Sequence, residues 1–472
     1  MMFEQTSSAP VGAEAVTPSK SVVIAVALAV TSQLPFWMLG LGLSMTRPLF
    51  SLDALLAVCV ATRKPRLGVA LLGLMWAVDG LQAASLVYHF ASPLKFLAGA
   101  QYLSLLDVFP LIAWGQVLVF ATCVGLALCG SRFLRTHGRG TLKWLVIAIA
   151  SVVVLDLING SSKMSGIGPE QLTTRTNVAG SPLMNAALTS WRTANGRGPV
   201  PVRFPSQVAS YGAIKKFAAD HPDSSVLVVI VESMGLPNSG PLQRWLAGSL
   251  VTPRIASTWE VVGGSEPFRG STTYGELRVL CGLIGYYEAI GAADTSSCLP
   301  RQAREQGWRA IGLHGFGFNM FDRHDWWPKV GLLPTDVTPT ANRKSERGCN
   351  DVFIGDCDSV VLDEAVKHAD QPRTFAYALT LDTHLPLAHR GAEPDAALSA
   401  LCEQAAVPSP SCLMVARLGS VLRSLENSLA LSRNPPLVVV VGDHAPPFMS
   451  NSARASFSST EVPLWVLRPR RH

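Results

Sequence analysis

The chain has 472 residues, a formal net charge of +6 and 15% charged residues, a length that suits two or three domains. Its positive mean hydropathy excludes an ordinary soluble globular protein and asks for a membrane part. The basic residues form no Lys/Arg-rich block interleaved with aromatics, which excludes a nucleic-acid-binding surface.

The membrane part comes first. Apolar runs cover Ser21–Leu43, Pro48–Thr62, Leu67–Phe90, Pro110–Gly130 and Thr141–Leu157. A span needs about twenty apolar residues, so the short second run, which carries Asp53, is the marginal one. Basic residues set the orientation. Arg63, Lys64 and Arg66 follow the second run, while Arg132, Arg135, Arg139 and Lys143 precede the fifth. Five spans with the N-terminus inside place both clusters inside and everything after residue 160 outside. Dropping the second span would separate the two clusters. The first run, small-residue-rich at "ALAV", also reads as a signal peptide. It is longer than an h-region and further spans follow, so a signal anchor fits better. Asp79 and Asp156 fall within spans, as points on a lipid or water pathway or as buried, hydrogen-bonded groups between helices.

Cysteine usage bears on the same topology. Cys59, Cys123 and Cys129 lie in the spans, and six remain beyond them: Cys281, Cys298, Cys349, Cys357, Cys402 and Cys412. An even number in three close pairs suits an oxidising, periplasm-like compartment. The expected pairing is local, 281–298, 349–357 and 402–412, among about fifteen possible connectivities. No pair is spaced as C-x-x-C, which speaks against a zinc ribbon.

Residues 161–215 are rich in Gly, Ser, Pro and Asn and read as a connector along the membrane surface with one short helix. From residue 216 the pattern changes. "SSVLVVIVES", "WRAIGLHG", "RTFAYALTLDTH" and "PPLVVVVGDH" are apolar runs that end in polar residues. Helical patterns at Pro300–Gln306, Ser359–Lys367 and Cys412–Leu431 lie between or beside them. Strands buried on both faces and alternating with helices predict an α/β domain with a largely parallel sheet.

In such sheets the site forms beyond the carboxyl ends of the strands. Those ends deliver Glu232, His314, Asp382 with His384, and Asp443 with His444. One strand-end histidine is commonly a structural residue; four strands ending this way point to a shared polar site. Carboxylates with imidazole suit one divalent cation such as Mn or Zn, with Glu232, Asp443 and His444 as ligands and an oxygen still needed. "FRGSTTYGELRVLCG" can supply it, since Thr272 or Thr273 would stand at a helix N-terminus, a place that favours anions. Metal coordination would activate that hydroxyl as a nucleophile. An ordinary N-cap threonine is the plain reading of the segment taken alone.

The ordered set "VES", "TTYGE", "HG…FDR", "LDTH" and "GDH" resembles the lipoteichoic acid synthases and related phosphoglycerol and phosphoethanolamine transferases of the alkaline phosphatase superfamily. Five transmembrane helices followed by an extracytoplasmic, sulfatase-like α/β domain are similar too. The resemblance implies that Thr272 is the nucleophile and, with Glu232, Asp443 and His444, holds the metal. It implies that Arg323 and His384 hold the phosphate and headgroup, with His314 and Phe321 beside them. Phe321 stands where lipoteichoic acid synthases have a tryptophan. The implied reaction moves phosphoglycerol from phosphatidylglycerol in the membrane, through a phosphothreonine, to a hydroxyl of an extracytoplasmic glycan. "CG" at Cys281–Gly282 is similar to glucan-modifying phosphoglycerol transferases, whereas three cysteine pairs resemble the phosphoethanolamine transferases of Gram-negative bacteria. Phosphatidylethanolamine is therefore the alternative donor. The resemblance places the chain in a bacterial inner membrane, multi-pass, with its catalytic domain in the periplasm.

A sulfatase would need Cys or Ser in a C/S-x-P-x-R setting, and "STTYGELR" has no such proline. A phosphodiesterase that hands the intermediate to water would use the same residues. A non-catalytic headgroup- or glycan-binding module would be expected to lack the nucleophile or a ligand, and both are present.

Overall fold

Long apolar stretches become helices at the N-terminal end of the computed structural model, which describes residues 18–42, 48–87, 93–94, 97, 114–158, 178–194, 201–291, 294–335, 355–388, 390–448 and 450–470. The first run is α1 (Pro18–Gly42), the second the ten-residue α2 (Leu52–Ala61), and the third α3 (Pro65–Val87). At about 1.5 Å per residue α2 reaches about 15 Å, half of a hydrocarbon layer about 30 Å thick. The break expected between the fourth and fifth runs is not formed. Trp114–Ile158 is one 45-residue helix, α4. The intervening segment has glycines at 130, 138 and 140 but no proline, and glycine weakens a helix without ending it. Among the described residues three segments are long and apolar enough to cross a membrane: Lys20–Leu41, Pro65–Ser85 and Gly140–Ile158.

Helices α2 and α3 form a hairpin whose bend carries the exposed Arg63 and Lys64. Val58, just before the bend, packs with Ala25 and Leu145. The exposed Lys20, Arg63, Lys64, Arg66 and Lys143 therefore gather at one end of the bundle. At the other end β1 (Phe50–Ser51) pairs in parallel with β2 (Ala179–Gly180). Asp156 accepts a hydrogen bond from the Ala179 N–H at 3.2 Å, so it is a hydrogen-bonded residue within a helix. Asp53 accepts from Ser181 Oγ at 2.6 Å and from the Leu183 N–H at 2.8 Å, capping helix α5 (Pro182–Ala194).

From residue 202 onward come β3 (Val202–Arg203) and α6 (Ala209–Asp220), which begin within the segment expected as a connector, then β4 (Val226–Val231), β5 (Trp259–Pro267), α7 (Thr272–Cys281) and β6 (Leu283–Ile284). They are followed by β7 (Arg309–His314), α8 (Arg323–Val330), β8 (Leu333–Thr335), α9 (Asp358–Ala369), β9 (Thr374–Leu379), α10 (Ser409–Leu429), β10 (Leu437–Gly442) and β11 (Glu461–Pro469). Seven strands make the main sheet in the order β5-β11-β10-β4-β9-β7-β8. From β10 to β8 all neighbours are parallel, while β11 and β5 run antiparallel at one side.

The four apolar runs are β4, β7, β9 and β10, and the sheet is mostly parallel, as expected. Three strands were not legible. β5 carries two glycines and an exposed middle, β8 is three residues long, and β11 contains Pro463, which reads as a strand breaker although it lies just past the residues paired with β10.

Alternation along the parallel strands divides the core. Leu227, Val229 and Val231 face α9 and α10, with Val438 and Val440 beside them. Val226, Val228 and Ile230 face the opposite way, toward α6, α7 and α8, with Val439 and Val441. Cys281–Cys298 and Cys402–Cys412 are disulfides. Cys357 is disulfide-bonded, and its expected partner Cys349 lies outside the described residues.

Candidate active site and metal centre

Two parallel neighbours, β4 and β10, end side by side and bring Glu232 next to Asp443 and His444. Valine runs suit strands buried on both faces, so the first polar residues past them emerge at the sheet edge. Ligand atoms of Glu232, Asp443 and His444 all lie within 4.8 Å of one another, and all three residues are buried. Backbone bonds fix them. Asp443 Oδ1 accepts from the N–H groups of Ser233 (2.8 Å) and His444 (2.7 Å). The Glu232 N–H donates to Thr380 Oγ1 at 2.9 Å, and Thr383 Oγ1 donates to the Glu232 carbonyl at 2.5 Å. Ser233 adopts φ 54°, a left-handed conformation costly for a residue with a Cβ.

Thr272 joins this group as the first residue of α7. Its hydroxyl donates to Glu232 Oε2 at 2.9 Å and stands 3.4 Å from His444 Nε2. Thr273, the alternative, turns its hydroxyl to Ser271 at 3.4 Å. The helix approaches closely because Gly275 has no side chain. A Cβ there would meet Asp443 Cβ at 2.8 Å and Cα at 2.9 Å. Arg278, also on α7, donates to the carbonyls of Gly442 (2.5 Å) and Asp443 (3.1 Å) and to Glu266 (3.0 Å), locking the helix to the end of β10.

Whether these residues suit a cation is decided by one atom. Asp443 Oδ2 is buried and has no hydrogen-bond partner among the described residues. It faces His444 Nε2 at 3.3 Å, and the His444 Nδ1–H is committed to the Ala445 carbonyl at 2.9 Å. This leaves Nε2 as the ring atom that faces the carboxylates and can turn its lone pair to an ion. Two buried carboxylates, an imidazole lone pair and an alcohol oxygen fit a divalent cation. Without one, burial and then the neighbouring Glu232 charge hold Asp443 well above the usual carboxylate range. Burial pushes Glu232 upward as well, but the neighbouring imidazoles of His384 and His444 and hydrogen bonds from Asp443 and Thr272 together hold it below the usual carboxylate range.

The other expected residues surround this centre. His314 ends β7 with Nδ1–H donated to the Leu379 carbonyl at 3.0 Å, and its buried Nε2 has no partner among the described residues. Burial and then the Arg323 charge push it down to about 3, so it is neutral. His384 commits Nδ1–H to the Leu385 carbonyl at 2.6 Å, and burial lowers it against the pull of Glu232. Phe321 and Asp322 both take left-handed conformations, φ 56° and 52°, just before Arg323. Phe321 then lies under the Arg323 guanidinium, 5.2 Å from ring centroid to Cζ.

Asp382 is not part of the cluster. Its carboxylate accepts from the Asp358 N–H at 3.1 Å, while Asp358 accepts from the N–H groups of Leu381 (2.7 Å) and Asp382 (2.9 Å). The pair ties the end of β9 to the start of α9. Sequence reading also passed over Glu276, which takes Arg323, Trp327 and Tyr377 as donors. The Glu of "TTYGE" was visible, but nothing local named its partners.

No family model matches the chain, and no curated protein matches it. Among solved structures it is similar to a lipoteichoic acid synthase from Listeria monocytogenes, at 15% identity and a TM-score of 0.35 over 53% of this chain and 66% of that one. A Streptococcus pyogenes phosphoglycerol transferase, solved with sn-glycerol-1-phosphate, is 16% identical with a TM-score of 0.33, over 57% and 78% of the two chains. The C-terminal periplasmic domain of EptC from Escherichia coli, a Zn complex, is 11% identical with a TM-score of 0.32, over 53% and 74%. A protein of the alkaline phosphatase superfamily from Vibrio parahaemolyticus is also among the similar structures, at 12% identity and a TM-score of 0.35 over 52% of this chain and 60% of that one.

Proposed function

We propose that this chain is a membrane-bound, metal-dependent transferase that moves phosphoglycerol from phosphatidylglycerol to a hydroxyl of an extracytoplasmic glycan. The observation that carries the reading is the Thr272 hydroxyl, 2.9 Å from Glu232 and 3.4 Å from His444, beside the unpartnered Asp443 Oδ2. An alcohol at a helix start among buried metal-ligand types is the arrangement that covalent phosphoryl transfer needs. The domains would be 1–160 in the membrane, 161–215 along its surface and 216–472 in the periplasm. The disulfides support an oxidising compartment for the last of these.

Glu232, Thr272, Asp443 and His444 would hold one Mn or Zn ion, which when bound lowers the pKa of the alcohol and offsets phosphoryl charge. Thr272 Oγ attacks the lipid phosphorus, and Glu232 Oε2, its present hydrogen-bond acceptor, is placed to receive the proton. The bond from phosphorus to the diacylglycerol oxygen breaks, that oxygen takes a proton from water and leaves as diacylglycerol, and the headgroup stays on Thr272. Arg323 binds non-bridging phosphoryl oxygens. Burial holds His384 below its ordinary value and its Nδ1 is committed as donor, so its Nε2 serves as base toward the acceptor hydroxyl. That hydroxyl then displaces Thr272 and carries the headgroup away. Phosphoethanolamine from phosphatidylethanolamine is the second reading, and the disulfide-rich ectodomain is what favours it.

Intact-mass and peptide spectrometry on the full-length protein with Mn or Zn, given each lipid separately, tests both. A glycerophosphate adduct on Thr272, absent in Thr272→Ala and released by glycan, is expected. A phosphoethanolamine adduct would change the headgroup and keep the chemistry. No adduct and no diacylglycerol with either lipid would overturn the transferase reading.

A further inference from the structure

Glu276 is fully buried one helical turn after Thr272, and four hydrogen bonds converge on its carboxylate. Oε1 accepts from Trp327 Nε1 (2.9 Å) and Tyr377 Oη (3.0 Å). Oε2 accepts from Arg323 Nε (3.4 Å) and Nη2 (3.3 Å). Nε and Nη2 are one edge of the guanidinium, so Glu276 grips Arg323 from the side. Arg323 Nη1 also donates to the Met320 carbonyl at 3.4 Å. Of five donors this leaves one on each Nη, a parallel pair suited to two phosphoryl oxygens.

We infer that Glu276 is the positioning residue for Arg323: it orients the guanidinium so that its outer pair of donors meets the phosphoryl group, and holds it at a fixed offset from Thr272. The inference rests on the proposed role of Arg323 as the phosphate-holding residue. Thr272 and Glu276 are four residues apart, hence on one face of α7, and one rigid helix carries both the nucleophile and the grip on the phosphate holder. The two buried groups depend on each other. Burial pushes Glu276 upward, and the Arg323 charge is the first influence opposing it. The paired left-handed residues Phe321 and Asp322 supply a strained approach that such a grip would hold in place. Trp327, packed against both Arg323 and Tyr377, completes the wall.

The test is a double-mutant cycle on the full-length protein loaded with Mn, using inorganic phosphate as probe in calorimetry and thermal melting in parallel. Arg323→Ala and Glu276→Gln should each weaken phosphate binding by about tenfold, the scale of one charge-assisted hydrogen bond. The double variant should bind no worse than Arg323→Ala, because Glu276 acts through Arg323. A structural role alone would lower the melting temperature without this non-additivity. Losses that add, a Glu276→Gln protein with unchanged affinity, or no phosphate binding by the wild type would each overturn the inference. If Glu276→Gln does not fold, Glu276→Asp keeps the charge, withdraws it by one methylene and enters the same cycle. Headgroup turnover measured alongside separates the two readings. A non-additive cycle with no turnover of either lipid removes the transferase and keeps the positioning role; turnover with an additive cycle does the reverse.

Discussion

A methyl group on Gly275 would overlap the Cα and Cβ of Asp443, atoms held by the backbone of β10 and by Arg278. Neither side can yield, so Gly275→Ala should push α7 away from the strand end. We expect a stability loss of about 1–3 kcal/mol and a larger proportional loss of turnover, read by thermal melting and lipid assay. A variant with full activity would mean that α7 can shift without harming the centre. Asp382 makes a different prediction. Burial pushes its carboxyl up to about 6, against the Asp358 N–H and the Arg417 charge. The folded state thus holds this proton more tightly than the unfolded chain does. Its stabilising share is complete below the ordinary carboxylate range and is lost as pH rises through about 6. Asp382→Asn should therefore melt higher than wild type at pH 8, with the gap closing by about pH 4. A gap independent of pH would assign the effect to packing. Asp443 and His444 were legible because a valine run has no reason to end in them. Glu276 and Asp358 were not, because the partners that give them meaning lie 47 and 24 residues away.

At the scale of elements, α7 concentrates most of what the site requires. Its first residue carries the hydroxyl, its second turn holds Glu276 and Arg278, and its last residue closes a disulfide to Cys298. The bridge spans a separation of 17 residues. Replacing both cysteines with alanine should cost about 3 kcal/mol by loop closure and lower the melting temperature, while leaving Thr272 beside Glu232. Loss of metal-supported activity without a change in melting would place the bridge among the parts of the site instead. The four central strands were readable as elements, since uninterrupted β-branched runs have few other homes than a two-sided sheet. The antiparallel side of the sheet follows looser rules. The edge strand β5 tolerates glycine and an exposed face, and Pro463 of β11 sits past the last residue paired with β10, so both sequences look like loops until their partners are known.

Across the whole molecule, Asp53 shows how the membrane helices and the connector meet. A carboxylate inside an apolar run marked the second run as marginal; its hydrogen bonds to Ser181 and Leu183 show a reason for its presence. Asp53→Ala should remove one cap of α5, that on the Leu183 N–H, and leave Ser181 Oγ on the Met184 N–H, a loss of about 1 kcal/mol. Faster proteolysis within residues 178–194, with unchanged melting of the α/β domain, would be the sign; equal proteolysis would show that the cap does not hold the helix. Hydropathy marked where apolar runs lie but not how they divide, because no proline separates the fourth from the fifth. The site itself is assembled from distant chain segments. The Ser233–Asp443 bond joins residues 210 apart, and Thr272 and His444 are 172 apart. On the proposed topology the chain is threaded outward from its N-terminal end, so the donor set is incomplete until almost all of it has emerged. On that reading an ion would be bound outside the cytoplasm, and the supply of Mn or Zn there would decide which one the centre carries.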